Sequence, residues 1–79
     1  MTITTTITWG RSLTAQEEAL VQSQLDTMAG TGLTDWTPDP GVDPEVRGWS
    51  DIGAAMAWQS WTQAGLITPG PVATQIQFP

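Results

Sequence analysis

A chain of 79 residues carries eight acidic residues against two arginines, with no lysine, histidine or cysteine, for a net charge of −6. Disulfides are excluded, the usual ligands of zinc, haem and iron–sulfur clusters are missing, and two arginines cannot form the basic surface that a phosphate backbone requires. The length suits a single domain, and a chain this short buries only about 60–65% of its unfolded surface, so it is expected to depend on packing and association rather than on a covalent or metal staple.

Residues 2–9 alternate without a break. Ile3, Thr5, Ile7 and Trp9 fall on one face, and Thr2, Thr4, Thr6 and Thr8 on the other. Period-two alternation with β-branched side chains predicts a strand. Gly10-Arg11-Ser12 reads as a turn. Thr14-Ala15-Gln16-Glu17 then fits a capping box, with Thr14 as N-cap and Glu17 reaching back from the third helical position. A first helix is expected over 14–30, apolar along Val21, Leu25, Met28 and Ala29, and stopped by Gly30 or Gly32.

Residues 33–36 form a short strand candidate. Three prolines and a glycine within 38–44 predict a stiff, exposed loop. Residues 45–49 are a second short strand candidate, so the loop would close a hairpin. Ser50 reads as the N-cap of a second helix over 51–64, with Asp51 in its first turn. That helix carries two apolar stripes. One is Ala54, Ala57, Trp58, Trp61 and Gly65; the other is Ile52, Ala55 and Met56. A helix apolar on most of its circumference is covered on more than one side, which points to a partner over the second stripe. After the turn at 69–71, Val72, Thr74, Ile76 and Phe78 alternate with Ala73, Gln75 and Gln77 as the last strand.

The resulting fold is α+β: a small ferredoxin-like β-α-β-β-α-β sandwich, or β-α-β-α-β with one middle strand, with two helices on one face of an antiparallel sheet. Both versions leave a sheet face of threonine and glutamine uncovered.

The residue inventory speaks against catalysis. A nucleophile and base need a serine, cysteine or lysine beside a base, and carboxylates are the only bases present. Asp35, Asp39, Asp43 and Glu45 cluster around the proline-rich loop, but their spacing does not match a calcium loop, and they read as solvated. No glycine-rich phosphate loop is present. No cofactor, metal or small-molecule substrate is therefore expected, and neither nucleic acid nor a membrane as partner. No run is long enough to span a bilayer, and residues 1–6 do not read as a signal peptide.

Five tryptophans are more than a small core needs, and tryptophan is enriched at interfaces. Trp9 and either Trp58 or Trp61 are the core candidates. Trp36, Arg47 and Trp49 around the acidic loop, with Ile52 and Met56 on the second helix, are the candidates for a protein interface.

The segment Arg47-Gly-Trp49-Ser-Asp-Ile-Gly-Ala-Ala-Met-Ala-Trp58, following an Ile-Thr-rich strand and a capped helix, resembles small proteins of tailed bacteriophages of the cyanophage type. In these a strand ending in Arg-x-Trp leads into a helix with paired alanines and an aromatic residue, then a short last strand. The proline-rich loop at 38–44 departs from that pattern. The resemblance implies a virion structural protein of tail, baseplate or capsid exterior, assembled in the host cytoplasm, with other virion proteins and copies of itself as partners. It carries no functional residue across. Two other readings stand beside it: an acidic inhibitor or DNA mimic that binds a basic host protein, and a small dimeric enzyme of the α+β-barrel type.

Overall fold

A computed structural model of the chain describes residues 2–28, 30, 32–34 and 39–79. In chain order it contains β1 (Ile3–Thr8), α1 (Ala15–Thr27), β2 (Glu45–Trp49), α2 (Ile52–Gln63) and β3 (Ala73–Gln77). The fold is α+β. The three strands form one sheet in the order β2-β1-β3, with β1 antiparallel to both neighbours. It follows that β2 and β3 run parallel to each other, joined through α2 and separated by β1, a split β-α-β arrangement. The β-α-β-α-β order is the one observed. Of the strand expected at 33–36, the described residues retain one antiparallel bridge, Leu33 to Trp49. The Thr34 N–H to Gly48 C=O bond (2.9 Å) and the Ser50 N–H to Gly32 C=O bond (2.7 Å) extend it. Trp36 lies outside the described residues.

The strand pairing sorts the side chains. On the inner face Ile3, Thr5 and Ile7 stand opposite Trp49, Arg47 and Glu45 of β2, and Thr5 and Ile7 stand opposite Ile76 and Thr74 of β3. On the outer face Thr4 and Thr6 meet Gly48 and Val46 on one side and Gln77 and Gln75 on the other. The inner face joins one core that includes Trp9, Val21, Leu25, Leu33, Trp58 and Ile67. α2 lies against all three strands. Its contact face begins with buried Ala54 and Ala55, whose short side chains let the helix backbone approach the sheet closely. α1 reaches the same core through Val21 and Leu25, both fully buried.

The helix ends refine the expectations. Thr14 caps α1 as predicted: its hydroxyl accepts from Glu17 N–H at 3.2 Å, while the Glu17 carboxylate accepts from Thr14 N–H at 2.9 Å. α1 stops at Thr27, short of the expected glycine, with the Met28 N–H turned back onto the Gln24 and Leu25 carbonyls. Asp51 rather than Ser50 caps α2, accepting from Ala54 N–H at 2.9 Å. Ser50 is held instead by Gly32, whose carbonyl takes both its N–H and its hydroxyl. α2 ends at Gln63 with Ala64 as its C-cap, and Gly65 follows with φ of +85°, a conformation natural to glycine.

Arg11 ties three segments together. Its guanidinium donates to both oxygens of Glu17 at 3.0 and 2.7 Å and to the Pro69 carbonyl at 2.9 Å. The Arg11 bond, and then the Thr14 N–H, hold the Glu17 carboxyl down at about 2, below its ordinary 4.5. A carboxyl whose pKa is depressed by folding stabilises the fold above its unfolded pKa and loses that contribution as pH falls through the folded value. The stability difference between the native chain and Glu17→Gln is therefore expected to be full above pH 4.5 and to vanish as pH approaches 2. Urea midpoints of both proteins down the acid limb measure it; a difference that is constant with pH contradicts the assignment.

Candidate functional site

Two members of the expected interface patch beside the acidic loop, Arg47 and Trp49, are not on the surface. Trp49 is fully buried and Arg47 is 1% exposed. The reason lies in strand parity: Glu45, Arg47 and Trp49 share the inner face of β2, opposite Ile7, Thr5 and Ile3. Arg47 Nε donates to Glu45 Oε2 at 3.0 Å with both side chains withdrawn from solvent. The other Glu45 oxygen accepts from Gly41 N–H at 3.0 Å. Trp49 Nε1 donates to Thr5 Oγ1 at 2.8 Å. These polar groups are thus satisfied inside the fold. They hold β2 to β1 and anchor the loop before it.

The acidic loop is likewise less free than its composition implied. The Asp43 carboxylate accepts from the N–H groups of Trp9 and Gly10 at 2.9 and 3.0 Å, so it pins the loop to the end of β1. Glu45 is buried. Asp39 is exposed, and Asp35 lies outside the described residues. Asp39 and Asp43 border an open groove of about 740 Å³ together with Arg11, Leu13, Glu18 and Gly41. Among the described residues no three carboxylates come together as metal ligands would. Ser12 is the one hydroxyl among the residues that line the groove.

The remaining candidates, Ile52 and Met56, are exposed at 44% and 53%. They sit one helical turn apart on α2. The face they occupy differs from the stripe expected, because Ala55 turns fully into the core while Ala57 turns outward. Gln59 and Gln63 lie on the same flank, and both side-chain amides donate to Thr74 Oγ1 of β3, at 2.9 and 2.8 Å. The flank bearing Ile52 and Met56 is therefore the one that faces β3. The opposite flank, with Gly53, Ala54 and Ala57, borders a smaller hollow of about 360 Å³ beside Gln24, Thr27 and Met28 at the end of α1.

A feature of charge distribution surrounds this flank. All ten charged residues fall between Arg11 and Asp51, and residues 52–79 contain none. That uncharged stretch supplies Ile52, Met56, Leu66, Val72 and Phe78, which are five of the eight large apolar side chains exposed among the described residues. Along the chain, then, charge is confined to residues 11–51, and residues 52–79 are neutral and partly apolar.

Trp9 and Trp58 are buried as the core reading expected, and Trp61 packs against the core, stacked on Trp58 at 5.4 Å. No helix is long and apolar enough to cross a membrane among the described residues. Set against known proteins, the chain matches no family model, no curated protein and no solved structure.

Proposed function

We propose that this chain is a structural component of a tailed bacteriophage particle, in the tail, baseplate or capsid exterior, and that it acts by packing against other protein. The observation that carries this mode of action is the neutral stretch 52–79, whose exposed Ile52, Met56, Leu66, Val72 and Phe78 offer apolar contact area without charge to desolvate. The placement in a phage particle rests on the resemblance of residues 47–58 to small phage proteins. In this fold that segment forms the end of β2, the α2 cap and the α2 contact face, which agrees with an architectural role for it.

The acidic-inhibitor reading has less support. Asp43 and Asp51 are engaged with backbone N–H groups of their own chain, and Glu17 and Glu45 with arginines. Among the described residues Glu18, Asp26, Asp39, Asp43 and Asp51 are exposed, and only the first three have carboxylates not already engaged by the backbone or an arginine of this chain, few for a mimic of a charged duplex. The enzyme reading has no contact between a hydroxyl and a carboxylate in the larger groove to support it among the described residues.

The proposal is tested on purified particles. Quantitative mass spectrometry is expected to find the chain at a fixed copy number per particle. Its absence from particles, with expression confirmed in the infected cell, contradicts the reading.

A further inference from the structure

We infer that the open edge of β3 pairs with β3 of a second copy of this chain, so that two three-stranded sheets join as one six-stranded sheet across a two-fold axis. This deepens the packing role proposed above and rests on the protein-packing part of it.

The two edges of the sheet are treated differently. Beyond β2, the chain itself bonds to the edge through Leu33, Thr34 and Gly32. Beyond β3, no described strand pairs. Exposed edges are normally protected by charge, proline or a bulge. β3 has none of these: Ala-Thr-Gln-Ile-Gln is free of charge and proline, and its register with β1 is unbroken from Thr4–Gln77 to Thr8–Ala73. Its outer edge is a row of backbone donors and acceptors.

Charge selects the occupant. A net charge of −6 makes two copies repel unless they meet through neutral surface, and residues 52–79 are that surface. A basic partner would be drawn to the acidic part of the chain instead. β3 is also compatible with itself. Antiparallel pairing centred on Gln75 sets Gln75 against Gln75, where the amides can bond on the outer face. Thr74 and Ile76 of one copy then meet Ile76 and Thr74 of the other on the inner face, a β-branched pair suited to cross-strand packing.

α2 adds to the contact. The Gln59 and Gln63 bonds to Thr74 set the level of the helix over the strand. A crossover helix runs opposite to the strands it joins. With about 1.5 Å per residue in the helix and about 3.3 Å in the strand, Met56 falls at the level of Ile76, and Ile52 at the level of Phe78. These apolar groups therefore line the same edge, and Phe78 is 57% exposed.

The test uses the full chain. Sedimentation equilibrium is expected to find a dimer. Gln75 is exposed on the outer face of the sheet, so Gln75→Glu and Gln75→Lys should leave circular dichroism unchanged. Each variant alone sets like charges against each other at the axis, and self-association should weaken about tenfold or more. Mixing the two should restore a dimer, seen by native mass spectrometry as the heterodimer. A native chain that is monomeric overturns the inference, as does a dimer indifferent to both substitutions. A monomer found at fixed copy number in particles overturns self-pairing while the particle role stands. Absence from particles with an intact dimer does the reverse.

Discussion

Arg47→Ala is expected to remove a large share of the domain's stability, enough to unfold it at the low end of the range for its size. Removing one member of a buried ion pair strands the other charge in the interior and costs about 3–5 kcal/mol. The whole domain is stabilised by about 4–12 kcal/mol if it follows the general 0.05–0.15 kcal/mol per residue. Glu45 and Arg47 are 0% and 1% exposed in their side chains, so solvent offers no relief to the stranded group. Glu45→Ala is expected to cost a similar amount, and it also frees the Gly41 N–H that fixes the loop before β2. The informative variant is the double substitution Glu45→Leu with Arg47→Met. Apolar pairs of similar volume replace buried ion pairs at little cost, so the double variant should be more stable than either single one. Recovery should be incomplete, because Gly41 still loses its acceptor and Arg47 has interactions beyond this pair. Urea unfolding followed by circular dichroism gives all four values. Single substitutions costing under about 1 kcal/mol would place the pair at the surface and contradict the buried arrangement.

That ion pair also shows where the sequence was readable and where it was not. The five elements are local: alternation in residues 2–9, a capping box at Thr14, glycine and proline at the turns. Each depends on neighbours in the chain, and each is found close to its expected place. The middle strand at 33–36 was the weak element, and the described residues keep only its bridge at Leu33. The burial of Glu45 and Arg47 is a matter of parity across strands. Charge and nearby prolines favoured an exposed loop, yet Glu45, Arg47 and Trp49 alternate onto one face, and Trp49 belongs inside. Counting by two from the tryptophan would have drawn both charged residues inward as a pair. Thr5 as acceptor for Trp49 could not be read at all, because it requires the register of β1 against β2. The exposure of Ile52 and Met56 was legible, because helical spacing puts them off the core face. Their nearness to β3 was not, since it follows from the tertiary bonds of Gln59 and Gln63 to Thr74.

Trp58→Ala is expected to be the most damaging change in the apolar core. Trp58 is fully buried, tilted against Trp49 at 6.1 Å and stacked on Trp61 at 5.4 Å with ring planes 10° apart. Truncating a buried aromatic side chain to alanine costs about 3–5 kcal/mol, most where neighbours cannot close the space. Here the lost ring lies between two other indoles, and the sheet behind Trp49 is fixed by its pairing with β1, so collapse is limited. Phenylalanine separates volume from polarity. Among the described residues Trp58 Nε1 is buried with no hydrogen-bond partner, and a buried donor left unpaired costs about 1–3 kcal/mol. Trp58→Phe removes that donor and offsets part of the lost packing. At Trp49 the same substitution breaks the bond to Thr5 and leaves the Thr5 hydroxyl, itself fully buried, without its donor. Trp49→Phe should therefore cost more than Trp58→Phe, although both lose the same atoms from the same core. Chemical denaturation of the three variants checks the order Trp58→Ala, then Trp49→Phe, then Trp58→Phe, from most to least destabilised. If the two phenylalanine variants were equal, the Trp49–Thr5 bond would carry no net stability, and packing alone would hold the two tryptophans in place.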